Sequence, residues 1–151
     1  MIELYTIGFT QTTAQDFFER LIQAGVKTVI DVRLNNRSQL SGFSKFPDLR
    51  YFLAEIGHIG YIHQLDLAPT KAILDAYKKP KGKRGKQGDW ILYTQQFNAL
   101  MAERHIESTL SPELLNGSCL LCSEATPHHC HRRLVAEYLA QHWGNVSIRH
   151  L

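Results

Sequence analysis

Cys122-Ser123-Glu124 and Cys130-His131-Arg132 gather two thiols, a carboxylate, an imidazole and a guanidinium in one short stretch. A thiol can attack or carry redox chemistry, a carboxylate or imidazole can move a proton, and a guanidinium can fork onto phosphate or carboxylate. Ser118 to Cys122 reads as a buried strand, and Thr126-Pro127 suits the N-cap and first position of the helix that follows. Cys130 and His131 are then expected near that helix's first turn, where free N–H groups and the dipole favour an anion and a thiolate at Cys130. Cys122 or Cys130 is the candidate nucleophile or redox thiol, and Glu124 or His131 the candidate general acid/base. The bland alternatives are a core cysteine at 122 and a loop-anchoring Glu124 paired with Arg132.

Three further groups can add to this chemistry. Asp31-Val32-Arg33 ends a second strand, with Asp31 and Arg33 on one face, either touching a ligand or forming a structural ion pair. Thr6-Ile7-Gly8 ends the first strand and can let backbone approach a substrate closely. Cys122, Cys130 and one of His128, His129 or His131 can converge on zinc or iron. Cys119-Leu120-Leu121-Cys122 spells a metal-knuckle spacing, but within a strand it sends the two sulfurs to opposite faces.

The elements that must position these groups alternate. Leu4 to Gly8, Val26 to Val32, Gly60 to Leu65, Ser118 to Cys122 and Val146 to Leu151 read as strands. Between them lie apolar helical stripes. One follows the Thr13…Asp16 capping pattern and stops at Gly25, one follows Pro47 and stops at Gly57, and one spans Thr70 to Tyr77. Another, capped by Asp89, carries Trp90, Tyr93, Phe97, Leu100 and Met101, and the last carries Leu134 to Trp143. Trp90 and Tyr93 suit core and site alike. The pattern predicts a single α/β domain over 1–151, a mostly parallel sheet of about five strands with helices on both faces. Ligands collect at the carboxyl ends of such strands, so Asp31, Arg33, Cys122 and Glu124 are expected to line one cleft.

At 151 residues and 44% hydrophobic composition the chain can build a core without disulfides or metal. Three cysteines fit a reducing, cytoplasmic setting. No leader is read at Met1 to Tyr5, and no apolar run approaches the roughly 20 residues that span a bilayer. The net charge of +3 is mild, but Lys78, Lys79, Lys81, Lys83, Arg84 and Lys86 form a basic block, expected as a flexible loop over 78–88. That block suits nucleic-acid phosphates or a plain solvated surface. No Walker loop, dinucleotide glycine fingerprint or nucleophile elbow occurs, so the sequence names no cofactor.

Thr6-Ile7-Gly8, Asp31-Val32-Arg33 and Leu121-Cys122-Ser123-Glu124 followed by Cys130-His131-Arg132 together resemble the bacterial and archaeal family catalogued as domain of unknown function 488. Leu67-Ala68-Pro69-Thr70 and the Trp90…Tyr93 pair sit where members carry similar segments. Leu34-Asn35-Asn36 stands where many members have a proline soon after Asp-Val-Arg. The resemblance implies a compact α/β fold with a site built from these motifs, and no particular reaction. Asp-Val-Arg at a strand end is also similar to rhodanese-type sulfurtransferases, though no short cysteine-to-arginine cradle follows Cys122. Two functional classes follow: an enzyme acting on an anionic, nucleotide or nucleic-acid-related substrate held by Thr6, Gly8, Asp31, Arg33 and Arg132, or a non-catalytic nucleic-acid- or partner-binding module using the basic block.

Overall fold

The last residue of each strand is where the chain must leave the sheet, and five such exits define this molecule. The computed structural model describes residues 1–37, 42–78 and 88–151. Its strands are β1 (Ile2–Gly8), β2 (Thr28–Asp31), β3 (Gly60–His63), β4 (Ser118–Cys122) and β5 (Val146–His150). They form one sheet in the order β3-β2-β4-β1-β5, and every pairing is parallel. The helices described are α1 (Ala14–Gln23), α2 (Asp48–Gly57), α3 (Lys71–Lys78), α4 (Trp90–Glu103), α5 (Ile106–Thr109), α6 (Pro112–Leu115) and α7 (His131–Trp143).

The strand order dictates where the helices go. The chain steps one way from β1 to β2 to β3, then back the other way from β3 to β4 to β5. Crossovers of a single hand must then put the two sets of helices on opposite faces. They do. Phe17, Phe18 and Leu21 of α1 and Leu49 and Leu53 of α2 pack with Ile7, Val29, Cys119 and Leu121 on one face. Tyr93, Phe97 and Met101 of α4 and Leu134, Val135 and Leu139 of α7 pack with Leu4, Ile30, Leu120 and Cys122 on the other. β4, covered on both faces and flanked by β1 and β2, is buried at all five positions. Cys119 and Cys122 accordingly sit in different cores.

Local signals account for most helix starts. Thr13 Oγ1 accepts from Asp16 N at 3.1 Å, and Asp89 Oδ1 accepts from Ile91 N at 2.9 Å. Four details differ from the sequence reading. The second strand pairs only over Thr28–Asp31, because Val26 and Lys27 turn their N–H groups to Leu21 O and Gly117 O. The stop after α2 is His58 at φ 54°, while a side chain on Gly57 would press on Ile59 Cδ1 at 2.9 Å. The short helices α5 and α6 were not expected. The last helix begins at His131 with Cys130 as its N-cap, not at Thr126-Pro127. The segment between is held as a loop by distant partners: the Ser123 carbonyl accepts from Thr10 N and Thr10 Oγ1 at 3.1 and 2.8 Å, and His129 stacks on Trp90.

Among the described residues no helix is long and apolar enough to cross a membrane. Of the basic block, only Lys78, at the end of α3, is a described residue. Lys79, Lys81, Lys83, Arg84 and Lys86 lie outside the described residues.

Candidate active site

β4 ends at Cys122, and α7 begins nine residues later at His131 with Cys130 as its N-cap, so the two thiols and the imidazole meet at one point. Their ligating atoms all lie within 4.8 Å of one another, and all three residues are buried. His131 Nε2 is 2.6 Å from the Val32 carbonyl, which only accepts, so Nε2 carries the proton. Nδ1 is thereby left as the unprotonated nitrogen, and Cys122 Sγ lies against the ring, 3.4 Å from Nδ1 and 3.8 Å from Nε2.

The two thiols differ in acidity. Cys122 is held below the ordinary thiol value, first by the hydrogen bond from Cys130 and then, against burial, by the Ser123 N–H and the Arg132 charge. Cys130 is pushed well above it, first by burial and then by its bond to Cys122. The expected lowering of the Cys130 thiol is therefore corrected: the lowered thiol is Cys122. Cys130 precedes the helix rather than sitting inside its first turn, and its proton has a sulfur acceptor. Cys119, fully buried on the other face, is pushed up by burial.

Asp31 and Arg33 form a bidentate pair, Nε to Oδ1 at 2.9 Å and NH2 to Oδ2 at 2.8 Å. Asp31 also accepts from Arg33 N at 3.1 Å and from Tyr61 OH at 2.6 Å. It is completely buried and its acceptors are taken. Burial opposes the Arg33 charge, but Asp31 more than offsets this and holds the guanidinium above its ordinary value. Burial and the bond to Asp31 likewise push Tyr61 up. Arg33 also donates from NH2 to Ser44 O at 2.7 Å and lies over the Phe9 ring at 5.0 Å. Its NH1 is buried and has no hydrogen-bond partner among the described residues.

Arg132 is the other buried guanidinium, and it faces away from this cleft. Nε donates to Thr6 Oγ1 at 3.3 Å, while NH1 donates to the Glu124 carbonyl and approaches Cys130 Sγ at 3.7 Å. The Thr6 hydroxyl, which accepts from Arg132, also hydrogen-bonds His150 Nδ1 at 2.6 Å. Gly8 is what lets the β4–α7 loop lie against β1: a Cβ there would fall 1.6 Å from Glu124 O and 2.7 Å from Arg132 NH1. Gly8 thus admits protein backbone.

A pocket of about 340 Å³ opens over the thiols. Arg33, Cys122, Glu124, Cys130 and His131 line it, with Lys78 at the same pocket. Thr6, Gly8, Asp31 and Arg132 are not among its lining residues. One wall is aromatic. Trp90 stacks on Tyr93 and on His129, each at 5.0 Å between centroids, and Tyr77 contacts Tyr93 at 5.1 Å. Phe9 was not singled out in the sequence, Tyr77 was weighed there only as a base-stacking ring beside the basic block, and His129 only as one of three histidines able to join a metal. The signal available was position: Phe9 directly follows Gly8, and Tyr77 directly precedes the basic block.

Residues 13–139 match the family described as Domain of unknown function DUF488, and the chain belongs to it. No curated protein and no solved structure matches the chain.

Two predictions test the clamp behind the pocket. Gly8→Ala loses at least about 2 kcal/mol in denaturant unfolding, because the incoming methyl meets backbone and cannot be relieved by a rotamer. Gly42→Ala, in open space, changes stability by less than about 0.5 kcal/mol. The second concerns His150, held below its ordinary value first by burial and then by Arg132, with Arg133 and His128 adding to this and Glu137 opposing. A depressed folded pKa means that the stabilisation is present above the unfolded value of 6.5 and is lost as pH falls through the folded one. Thermal unfolding from pH 7.5 down to 5.5 shows Tm falling in the parent and falling less in His150→Gln.

Proposed function

We propose that this DUF488 protein is an enzyme acting on a small anionic substrate, nucleotide or nucleic-acid-derived, in the pocket above Cys122. The observation that carries the reading is Arg33. A guanidinium 4% exposed, charged and fixed by Asp31, lines the same pocket as two thiols and an imidazole, and its buried NH1 has no hydrogen-bond partner among the described residues. Buried donors without partners are rare in folded proteins, and an anionic ligand group is the natural acceptor for this one.

The roles follow from position. Arg33 anchors the anion, and Lys78 adds charge at the same pocket. Asp31, Tyr61 and Asn36 position Arg33, the last through Asn36 Nδ2 to Tyr61 OH at 3.0 Å. Trp90, Tyr77 and His129 offer ring faces and edges to a planar group. Cys122, Cys130 and His131 are the reacting end. The Glu124 side chain, exposed on the same pocket, is the group placed to exchange protons with water. Thr6, Gly8 and Arg132 act indirectly, by holding the loop that carries Glu124 and Cys130. The volume is that of an ordinary small-molecule site, which favours a nucleotide-sized ligand over a nucleic-acid duplex.

Calorimetric titration with inorganic phosphate and with nucleoside monophosphates tests the reading. The parent binds at least one of them at up to millimolar concentration. Arg33→Gln weakens that binding by about tenfold or more, the value of a lost charge-assisted hydrogen bond. Trp90→Ala weakens the nucleotide and leaves phosphate unchanged, and it keeps a result in hand where Arg33→Gln fails to fold. A parent protein that binds none of these anions overturns the proposal.

A further inference from the structure

Resting on that reading of the pocket, we infer that its reacting end is a metal centre: Cys122, Cys130 and His131 bind one thiophilic divalent cation of the zinc or ferrous class. The fourth coordination position then faces the pocket. Sulfur serves as ligand, and the group that reacts is what the ion holds.

Four observations converge. The three donor atoms lie within 4.8 Å of one another, and a tetrahedral zinc site with Zn–S of about 2.3 Å and Zn–N of about 2.0 Å needs its ligand atoms roughly 3.4 to 3.8 Å apart. Cys122 Sγ and His131 Nδ1 already stand at 3.4 Å. Second, one imidazole nitrogen is already engaged as in metal-ligating histidines: Nε2 donates to the Val32 carbonyl at 2.6 Å, which leaves Nδ1, on the side of the two thiols, as the nitrogen able to take a metal. Third, the donors sit on fixed backbone, a strand end, a helix cap and the first helical residue, so little ordering is left to binding. Fourth, the carboxylate nearest in sequence to β2's end is excluded, since the Asp31 oxygens are taken by Arg33 and Tyr61.

Charge supports the same conclusion. A divalent ion would displace the Cys130 proton and balance the two thiolates it creates, charges that a buried site does not otherwise hold side by side. Three protein ligands and one open position are the pattern of a catalytic rather than a structural centre. An ion there would polarise a substrate oxygen or acidify a bound water, which fits hydrolysis of a phosphate- or carboxylate-bearing substrate held by Arg33. Cys119, on the opposite face of β4, takes no part.

Metal analysis and cobalt titration of the full chain test this. Protein purified without chelator carries close to one equivalent of zinc or iron. Metal-free, reduced protein takes up one equivalent of Co²⁺, with thiolate-to-cobalt charge transfer in the near ultraviolet and the intense visible bands of tetrahedral cobalt. Cys119→Ser keeps both signals. Cys122→Ser, Cys130→Ser and His131→Ala each lose affinity by more than the about 10–100-fold typical of removing an outer-sphere partner. Absence of the charge-transfer band in the parent, which needs no variant, overturns the inference, as does undiminished cobalt binding in Cys122→Ser. Phosphate and nucleotide titrations on the same metal-free sample separate the two readings. Anion binding without cobalt binding overturns the metal centre and leaves the anion site standing; binding of neither overturns both.

Discussion

The buried charge of Arg132 is the constraint on which the geometry of the pocket depends. It is 1% exposed and has no carboxylate ion pair among the described residues, so its hydrogens must be met by neutral oxygens and by sulfur. Those acceptors come from three places in the chain: the Thr6 hydroxyl on β1, the Glu124 carbonyl in the loop after β4, and Cys130 at the head of α7. One guanidinium therefore sets how the loop leaves β4, how closely it passes β1 and where α7 starts. An unmet buried donor costs more than a hydrogen bond contributes, so the three segments hold together as a unit. Gly8 is the steric complement of this arrangement.

Arg33 presents the opposite case. Its charge is neutralised locally by Asp31 through a bidentate pair, and the aspartate is itself held by Tyr61. A buried pair of this kind contributes little net stability, because desolvation consumes most of the Coulombic gain. What it supplies is position: a rigid, permanently charged donor at the carboxyl edge of β2 with one nitrogen unused. Arg132 organises the protein, and Arg33 remains available to something else. The sequence motifs around the two look equally suggestive, and only the partners distinguish them.

Much of the framework was legible because it rests on short-range rules. The strand and helix alternation, the caps at Thr13 and Asp89, and the separation of Cys119 from Cys122 to opposite faces all follow from periodicity and local hydrogen bonding. The meeting of Arg33, Cys122 and Glu124 at one pocket followed from their places at strand ends in a parallel sheet. The misread details are those decided across long sequence distances. Thr126-Pro127 has the local form of a helix start, but Thr10 captures the Ser123 carbonyl from 113 residues away and Trp90 takes His129. Which thiol is the more acidic depends on a bond between residues eight apart that forms only after β4 and α7 dock. The aromatic stripe of α4 served both readings at once: Phe97 and Met101 are core, whereas Trp90, about two turns before Phe97, is only partly buried and lines the pocket.

Charge balance links the fold to the chemistry of the pocket. Asp31 and Arg33 cancel, which leaves Arg132 as a buried positive charge whose nearest ionisable neighbours are sulfur. The hydrogen bond from Cys130 and, less strongly, the Ser123 N–H and that charge hold the Cys122 thiol below its ordinary value against burial. With a divalent ion between two thiolates, sulfur and metal would cancel each other and the Arg132 charge would stand again behind the pocket that Lys78 lines. On the proposed reading, Arg33 and Lys78 at the cleft favour a negative ligand over a neutral or positive one. A cationic or purely apolar substrate would have to enter against them with no buried carboxylate free to receive it, since Asp31 is saturated and Glu124 is exposed to solvent.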